Sequence, residues 1–171
     1  MSNQNMPENR IQKQNIGNAG EYYIASRLSM LDFTTTITLG RAEKYDILAL
    51  SPKGKLIKIS VKTTQLEKTR GFPLSIKDEI GYSNDFYYAF VKLNKFEKEP
   101  DFWIIPSEIV CPLIKNAHKK WGDTPGKNNR KHGTSAIRWL PFEVRGADEI
   151  YYPKEWDNEI KQYYKNTEQL L

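Results

Sequence analysis

Cysteine is almost missing from this chain. Cys111 is the only one in 171 residues, which excludes an internal disulfide and any multi-cysteine zinc site. Histidine is scarce too. With only His118 and His132, a zinc centre or a histidine-based nucleophile system is poorly supported. No apolar run reaches the ~18 residues expected of a membrane span. The polar opening SNQNMPENRIQKQN lacks the apolar segment of a signal peptide. Neither phosphate-cradling glycine pattern, G-x-x-x-x-G-K-S/T or G-x-G-x-x-G, occurs. There is no internal repeat and no interdomain linker. These absences predict one cytoplasmic domain over residues 15–171, after a disordered lead-in at 1–14.

Aromatic residues, by contrast, are plentiful: ten Tyr, seven Phe and four Trp. They either fill a core or stack on bases, and composition does not choose. The formal charge of +5 hints at a polyanionic partner.

The pattern along the chain predicts an α/β (α+β) domain with a mixed central sheet flanked by helices. A helix is expected from Asn15–Asn18, either of which could cap it, to about Leu31. Within it, Glu21 has Ile24, Ala25 and Leu28 at i+3, i+4 and i+7, so it falls in the apolar stripe. A buried carboxylate there needs a cation, a metal or a proton. A solvated first-turn residue favouring the helix dipole is the plainer reading.

Three strands follow: TTTITLG (34–40), KYDILAL (44–50) and KLIKISVKTT (55–64). SPKG makes the last two an antiparallel hairpin. A turn centred near Lys53 sets Asp46 opposite Ser60, on one sheet face with Lys62. A one-residue slip would undo this patch. Alternatively, Ile57, Ile59 and Val61 face the core while Lys58, Ser60 and Lys62 face water.

Further strands are expected at FPLSI, DFYYAFVKL (85–93), DFWIIP (101–106) and AIRWLPF (136–142). A helix capped by Ser107 is expected next to DFWIIP, bent or delayed by Pro112. A final helix is expected over 156–171. The loop 122–135 carries Lys127, Arg130 and Lys131, and Lys119, Lys120 and Trp121 precede it. Phosphate contact by these cations and base stacking by Trp121 are the functional readings. A solvated loop and a core tryptophan are the plainer ones.

A glutamate on a helix, an acid on one strand and a lysine near the end of the next form a set suited to phosphodiester hydrolysis. A divalent cation neutralises the phosphate and lowers the pKa of a water, and a lysine orients that water or steadies developing charge. The motifs GNAGE with Glu21, KYD with Asp46 and ISVKTT with Ser60, Val61 and Lys62 resemble the PD-(D/E)XK, or restriction-endonuclease-like, superfamily. The G-x-x-G-E helix and the VKT ending are most similar to its Holliday-junction-resolvase-like branch. That resemblance implies a Mg²⁺- (or Mn²⁺-) dependent endonuclease acting on DNA more readily than RNA, with Glu21, Asp46, Ser60 and Lys62 catalytic. It implies metal ligation by Asp46, Glu21 and the Val61 carbonyl, and it raises the expectation of a homodimer.

Two residues depart from the pattern. Tyr45 replaces the proline, which contacts no metal. Ser60 replaces the second acid, which weakens any metal site. The rivals are therefore a nucleic-acid-binding module that has lost the chemistry, and a protein-interaction scaffold in phage defence or counter-defence. A lysine snorkelling at a strand end, paired with a structural Asp46, is the plainest account of the same residues.

Overall fold

The computed structural model describes residues 12–38, 44–66, 68–81, 83–126 and 129–171. Helix α1 (Lys13–Ser29) leads into β1 (Thr34–Ile37), β2 (Ile47–Leu50) and β3 (Leu56–Thr64). Then come β4 (Gly71–Ser75), β5 (Phe86–Lys92), β6 (Asp101–Pro106), α2 (Ser107–Asp123) and β7 (Ile137–Pro141). Two one-turn helices, α3 (Asp148–Tyr151) and α4 (Trp156–Glu159), follow.

Five strands form one mixed sheet in the order β1-β2-β3-β5-β6, and β4 pairs with β7 as a separate ribbon. β1, β2 and β3 are antiparallel neighbours, β3 and β5 run parallel, and β5 and β6 are antiparallel. The fold is thus α+β with a mixed central sheet flanked by helices, as the pattern predicts.

Alternation along the strands sorts two cores onto the two sheet faces. Ile57, Ile59 and Val61 of β3, with Tyr87, Ala89 and Val91 of β5, pack under Ile24, Ala25 and Leu28 of α1. Phe86, Tyr88 and Phe90 of β5 point the other way, against Val110, Cys111 and Ile114 of α2 and Trp156 of α4. The core under α1 is mainly aliphatic and the one under α2 is aromatic-rich, and most of the rings pack into or against the two. The even residues of β3 do not simply face water. The second layer covers them, and Ser60 is buried.

Gly20 explains how closely α1 sits on β3. A Cβ there would overlap the Thr63 side chain, so only glycine permits this approach. Gly54, at φ +80°, closes the β2–β3 turn, where the Gly54 N–H donates to the Ser51 carbonyl at 2.8 Å.

Several local expectations need correction. The helix begins at Lys13 rather than at 15–18, with Gln12 at its N-cap and no side-chain cap, so neither asparagine caps it. Lys13 and Gln14 thus belong to the domain, and residues 1–11 lie outside the described ones. β1 ends at Ile37; Leu39 and Gly40 are also outside. Ser107 does not cap α2. Its hydroxyl donates to the Ser83 carbonyl and accepts from the Ser83 N–H, both at 3.1 Å, tying the helix start to the approach to β5. α2 is also continuous through Pro112 and does not start late.

The expected final helix breaks up into α4 and two 3-10 turns, Ile160–Tyr163 and Glu168–Leu170. The edge of β6 is the cause. An exposed strand edge carries unmet backbone groups. Here the Lys165 N–H donates to the Phe102 carbonyl at 2.9 Å, and Gln169 Nε2 donates to the Ile104 carbonyl at 2.7 Å. An unbroken helix could not lie along that edge and bond it. Lys165 takes a positive φ of 50° to make the turn.

Candidate functional site

The hairpin places Asp46 as its symmetry predicts. The ladder pairs Ile47 with Ile59 and Leu50 with Leu56, so one step further sets Asp46 beside Ser60. The Asp46 N–H donates to the Ile59 carbonyl at 2.9 Å, holding the residue just beyond the strand's start. Its Oδ2 accepts the Val61 N–H at 2.6 Å and the Ser60 hydroxyl at 3.3 Å. Ser60 is therefore used as a donor to the acid, a task an acidic residue at that position could not perform when ionised.

Glu21 stands next to Gly20, which rests on Thr63 near the end of β3. Glu21 is half-buried. Burial first, and the negative charge of Asp46 second, push its carboxyl above the usual range. Two acids from separate elements thus lie within each other's field, which is costly unless a cation or a proton relieves it.

Lys62 lies two residues beyond Ser60 on the same face, but its ammonium turns elsewhere. It pairs with Asp78 Oδ1 at 3.8 Å and lies 5.9 Å from the ring centre of Tyr88. Asp78 stands in the 3-10 turn Ile76–Glu79, where its Oδ2 accepts from the Ser75 N–H at 2.7 Å and the Ser75 hydroxyl at 2.9 Å. The Tyr88 hydroxyl donates to Asp78 Oδ1 at 3.2 Å. Burial, with Asp78 beside it, drives the Tyr88 phenol far upward, so it remains a donor. The plain expectation that Asp46 pairs with Lys62 is thus replaced: Asp78 is the partner. The capping pattern Ser-x-x-Asp at Ser75–Asp78 was the available signal for an ordered acid there.

Among the described residues, no group of three or more His, Cys, Asp or Glu side chains is arranged to hold a metal. An ion held at this end of β3 would have Glu21 and Asp46 as its carboxylates, with the Val61 carbonyl added only by the resemblance. Two carboxylates suit Mg²⁺, which keeps several of its waters.

The basic residues lie on a different part of the chain. Lys119 and Lys120 are exposed near the end of α2, and Arg130 and Lys131 are exposed in the loop beyond it. Lys127 lies outside the described residues. Trp121 does not offer a bare face: the rings of His118 and His132 stack on it, with centroids at 5.0 and 4.0 Å. Base stacking on Trp121 would first have to displace an imidazole. No helix among the described residues is long and apolar enough to cross a membrane.

No protein-family model and no curated protein sequence matches the chain. Among solved structures, it is similar to that of a bacterial homing endonuclease, I-Ssp6803I, at 12% identity and a TM-score of 0.48. The match covers 90% of this chain and 95% of that one. At that distance the likeness decides nothing about activity.

Proposed function

We propose that the chain hydrolyses phosphodiester bonds in DNA with the help of Mg²⁺ or Mn²⁺, as a PD-(D/E)XK-like endonuclease. The observation that carries this reading is the Asp46 carboxylate held by Ser60 and Val61, with the half-buried Glu21, raised first by burial and second by the charge of Asp46, as the other acid that a divalent cation could relieve. Asp46 and Glu21 would hold the ion, with the Val61 carbonyl as a further ligand. When bound, the ion neutralises phosphate charge and makes a water acidic enough to attack.

The chain's own residues do the rest. The Val61 N–H and Ser60 hydroxyl fix the carboxylate of Asp46 through its Oδ2. Glu21, its pKa raised by burial, is a better proton acceptor than an ordinary carboxylate. Lys62 would swing from its loose contact with Asp78 toward the phosphate and orient the attacking water. Asp78 and Tyr88 set the resting position of that ammonium.

A second reading keeps the DNA and drops the chemistry. It is favoured by Ser60 and by the small acidic set. One experiment separates the two. Supercoiled plasmid is incubated with the protein and Mg²⁺ or Mn²⁺, beside calorimetric titration of each metal. Wild type should nick the plasmid, while Asp46→Asn and Lys62→Ala should each lower the rate by about 10²-fold or more. Metal binding should be lost in Asp46→Asn and retained in Lys62→Ala. Nicking that persists in both variants sinks the nuclease reading. DNA binding with no metal binding in wild type establishes the second.

A further inference from the structure

A separate cleft of about 410 Å³ opens between α2, β7 and α3. That is within the range of small-ligand sites, roughly 300–1,000 Å³. Its walls are largely aromatic and apolar: Trp139, Tyr151 and Tyr152 on one side, Ile114 and His118 on the other, with Ile137 65% exposed at its margin. The Tyr152 hydroxyl is spent on the Trp139 carbonyl, and Arg138 is spent on a buried ion pair with Glu79 and on the Ser135 and Ile137 carbonyls. Asp148, which also lines the cleft, is different. Its Oδ2 is buried and has no hydrogen-bond partner. Burial pushes this carboxyl upward, and the nearby Arg70 charge only partly opposes that. Nothing in the proposed metal site uses this cleft. A buried acceptor without a donor is costly, and a ligand N–H would relieve it.

The ligand must therefore be flat enough to lie among rings and must present N–H groups. In its ionised form, which a bound pair of N–H donors favours, the carboxylate only accepts. Among the bases, guanine alone has two adjacent donors on its pairing edge, N1–H and the N2 amine. Adenine and cytosine each place a ring acceptor beside their amine, and thymine flanks its N3–H with two carbonyls. We propose that the cleft holds a guanine base swung out of a bound DNA strand, with the two Asp148 carboxylate oxygens accepting from its N1–H and N2–H together and Trp139 and Tyr151 stacking against the ring. Bases taken out of a stack are read in this manner, by hydrogen bonds to the pairing edge between aromatic walls. The strand as the source of the base rests on the DNA reading above; the cleft's chemistry does not.

The test titrates the full chain with guanosine, adenosine, cytidine and thymidine, reading quenching of tryptophan fluorescence. Guanosine should saturate and bind at least about tenfold more tightly than the other three. Asp148→Asn should erase that preference. Ile137→Trp, a change at an exposed position, should plug the cleft and weaken guanosine by a similar factor even if Asp148→Asn proves unstable. A thymidine oligonucleotide carrying one guanine should displace guanosine, and an all-thymidine one should not. No saturable guanosine binding, equal affinity for the four, or an unaffected Ile137→Trp overturns the assignment. Guanosine binding without competition from the guanine-bearing strand overturns the DNA source. Plasmid nicking runs alongside. Asp46-dependent nicking without guanosine binding removes the cleft alone, whereas guanosine binding without nicking supports the cleft and removes the nuclease.

Discussion

Asp46 and Glu21 show two ways in which a carboxylate can be held. Asp46 is secured by hydrogen bonds from Ser60 and Val61. Glu21 is partly withdrawn from water and faces the charge of Asp46, which favours its proton. Because the folded pKa of Glu21 is raised, the folded state binds more protons than the unfolded one as pH rises above about 4.5, the ordinary value. Its contribution to stability is thus fully present below that pH and is lost as pH climbs through the raised value. Glu21→Gln should remove this loss. Its melting temperature relative to wild type should rise between pH 4.5 and pH 7, and added Mg²⁺ should stabilise wild type more than the variant. A difference that stays flat with pH would mean Glu21 is solvated after all. The positions of Asp46 and Ser60 were legible because a hairpin's register follows from its turn, four residues of sequence. Asp78 and Tyr88 were not, because their meeting with Lys62 depends on β3, β5 and a 3-10 turn converging from distant parts of the chain.

At the scale of elements, one glycine sets the distance between α1 and β3, and so the reach of Glu21. Alanine is a better helix former than glycine by about 1 kcal/mol. Overpacking against a buried neighbour costs about 1–3 kcal/mol, and the neighbour here is the body of Thr63 rather than a flexible tip. The overlap should win. Gly20→Ala is expected to lower the melting temperature and to reduce any Asp46-dependent activity, since it pushes the helix off the strand. Thr63→Ala should rescue it, and should itself cost little, because the Thr63 hydroxyl is buried without a partner. Thermal melts of the two single variants and the double form a cycle that checks this. The central strands could be read closely: Asp101–Pro106 matches the expected DFWIIP end to end. The C-terminal segment could not. Its local pattern suits a helix, but Leu170 is needed in the core beside α1 and the edge of β6 needs partners. Tertiary demand outweighs propensity there.

Over the whole molecule, a net charge of +5 is small, and its distribution decides whether it matters. Lys119, Lys120, Arg130 and Lys131 gather on the end of α2 and the following loop, and all four are exposed. Lys58, Lys92 and Arg138 are instead tied into the fold, by Asp85, by the Trp103 and Phe142 rings, and by Glu79. Of these seven, the first four are the ones placed to exchange counterions freely with a phosphate backbone. Each phosphate neutralised contributes about 0.9 to the slope of log K against log salt for duplex DNA. If all four contact phosphates, replacing them together with alanine should reduce that slope by roughly 3 to 4. It should leave the melting temperature nearly unchanged, because none of the four is buried. Fluorescence anisotropy of a labelled duplex over a salt series measures the slope directly. The same series with Asp46→Asn should give the wild-type slope or a slightly steeper one, since removing a negative charge cannot weaken attraction to phosphate. An unchanged slope in the fourfold variant would move the DNA path off the end of α2. The cleft beside Asp148, which shares that helix, would then have no strand passing its mouth.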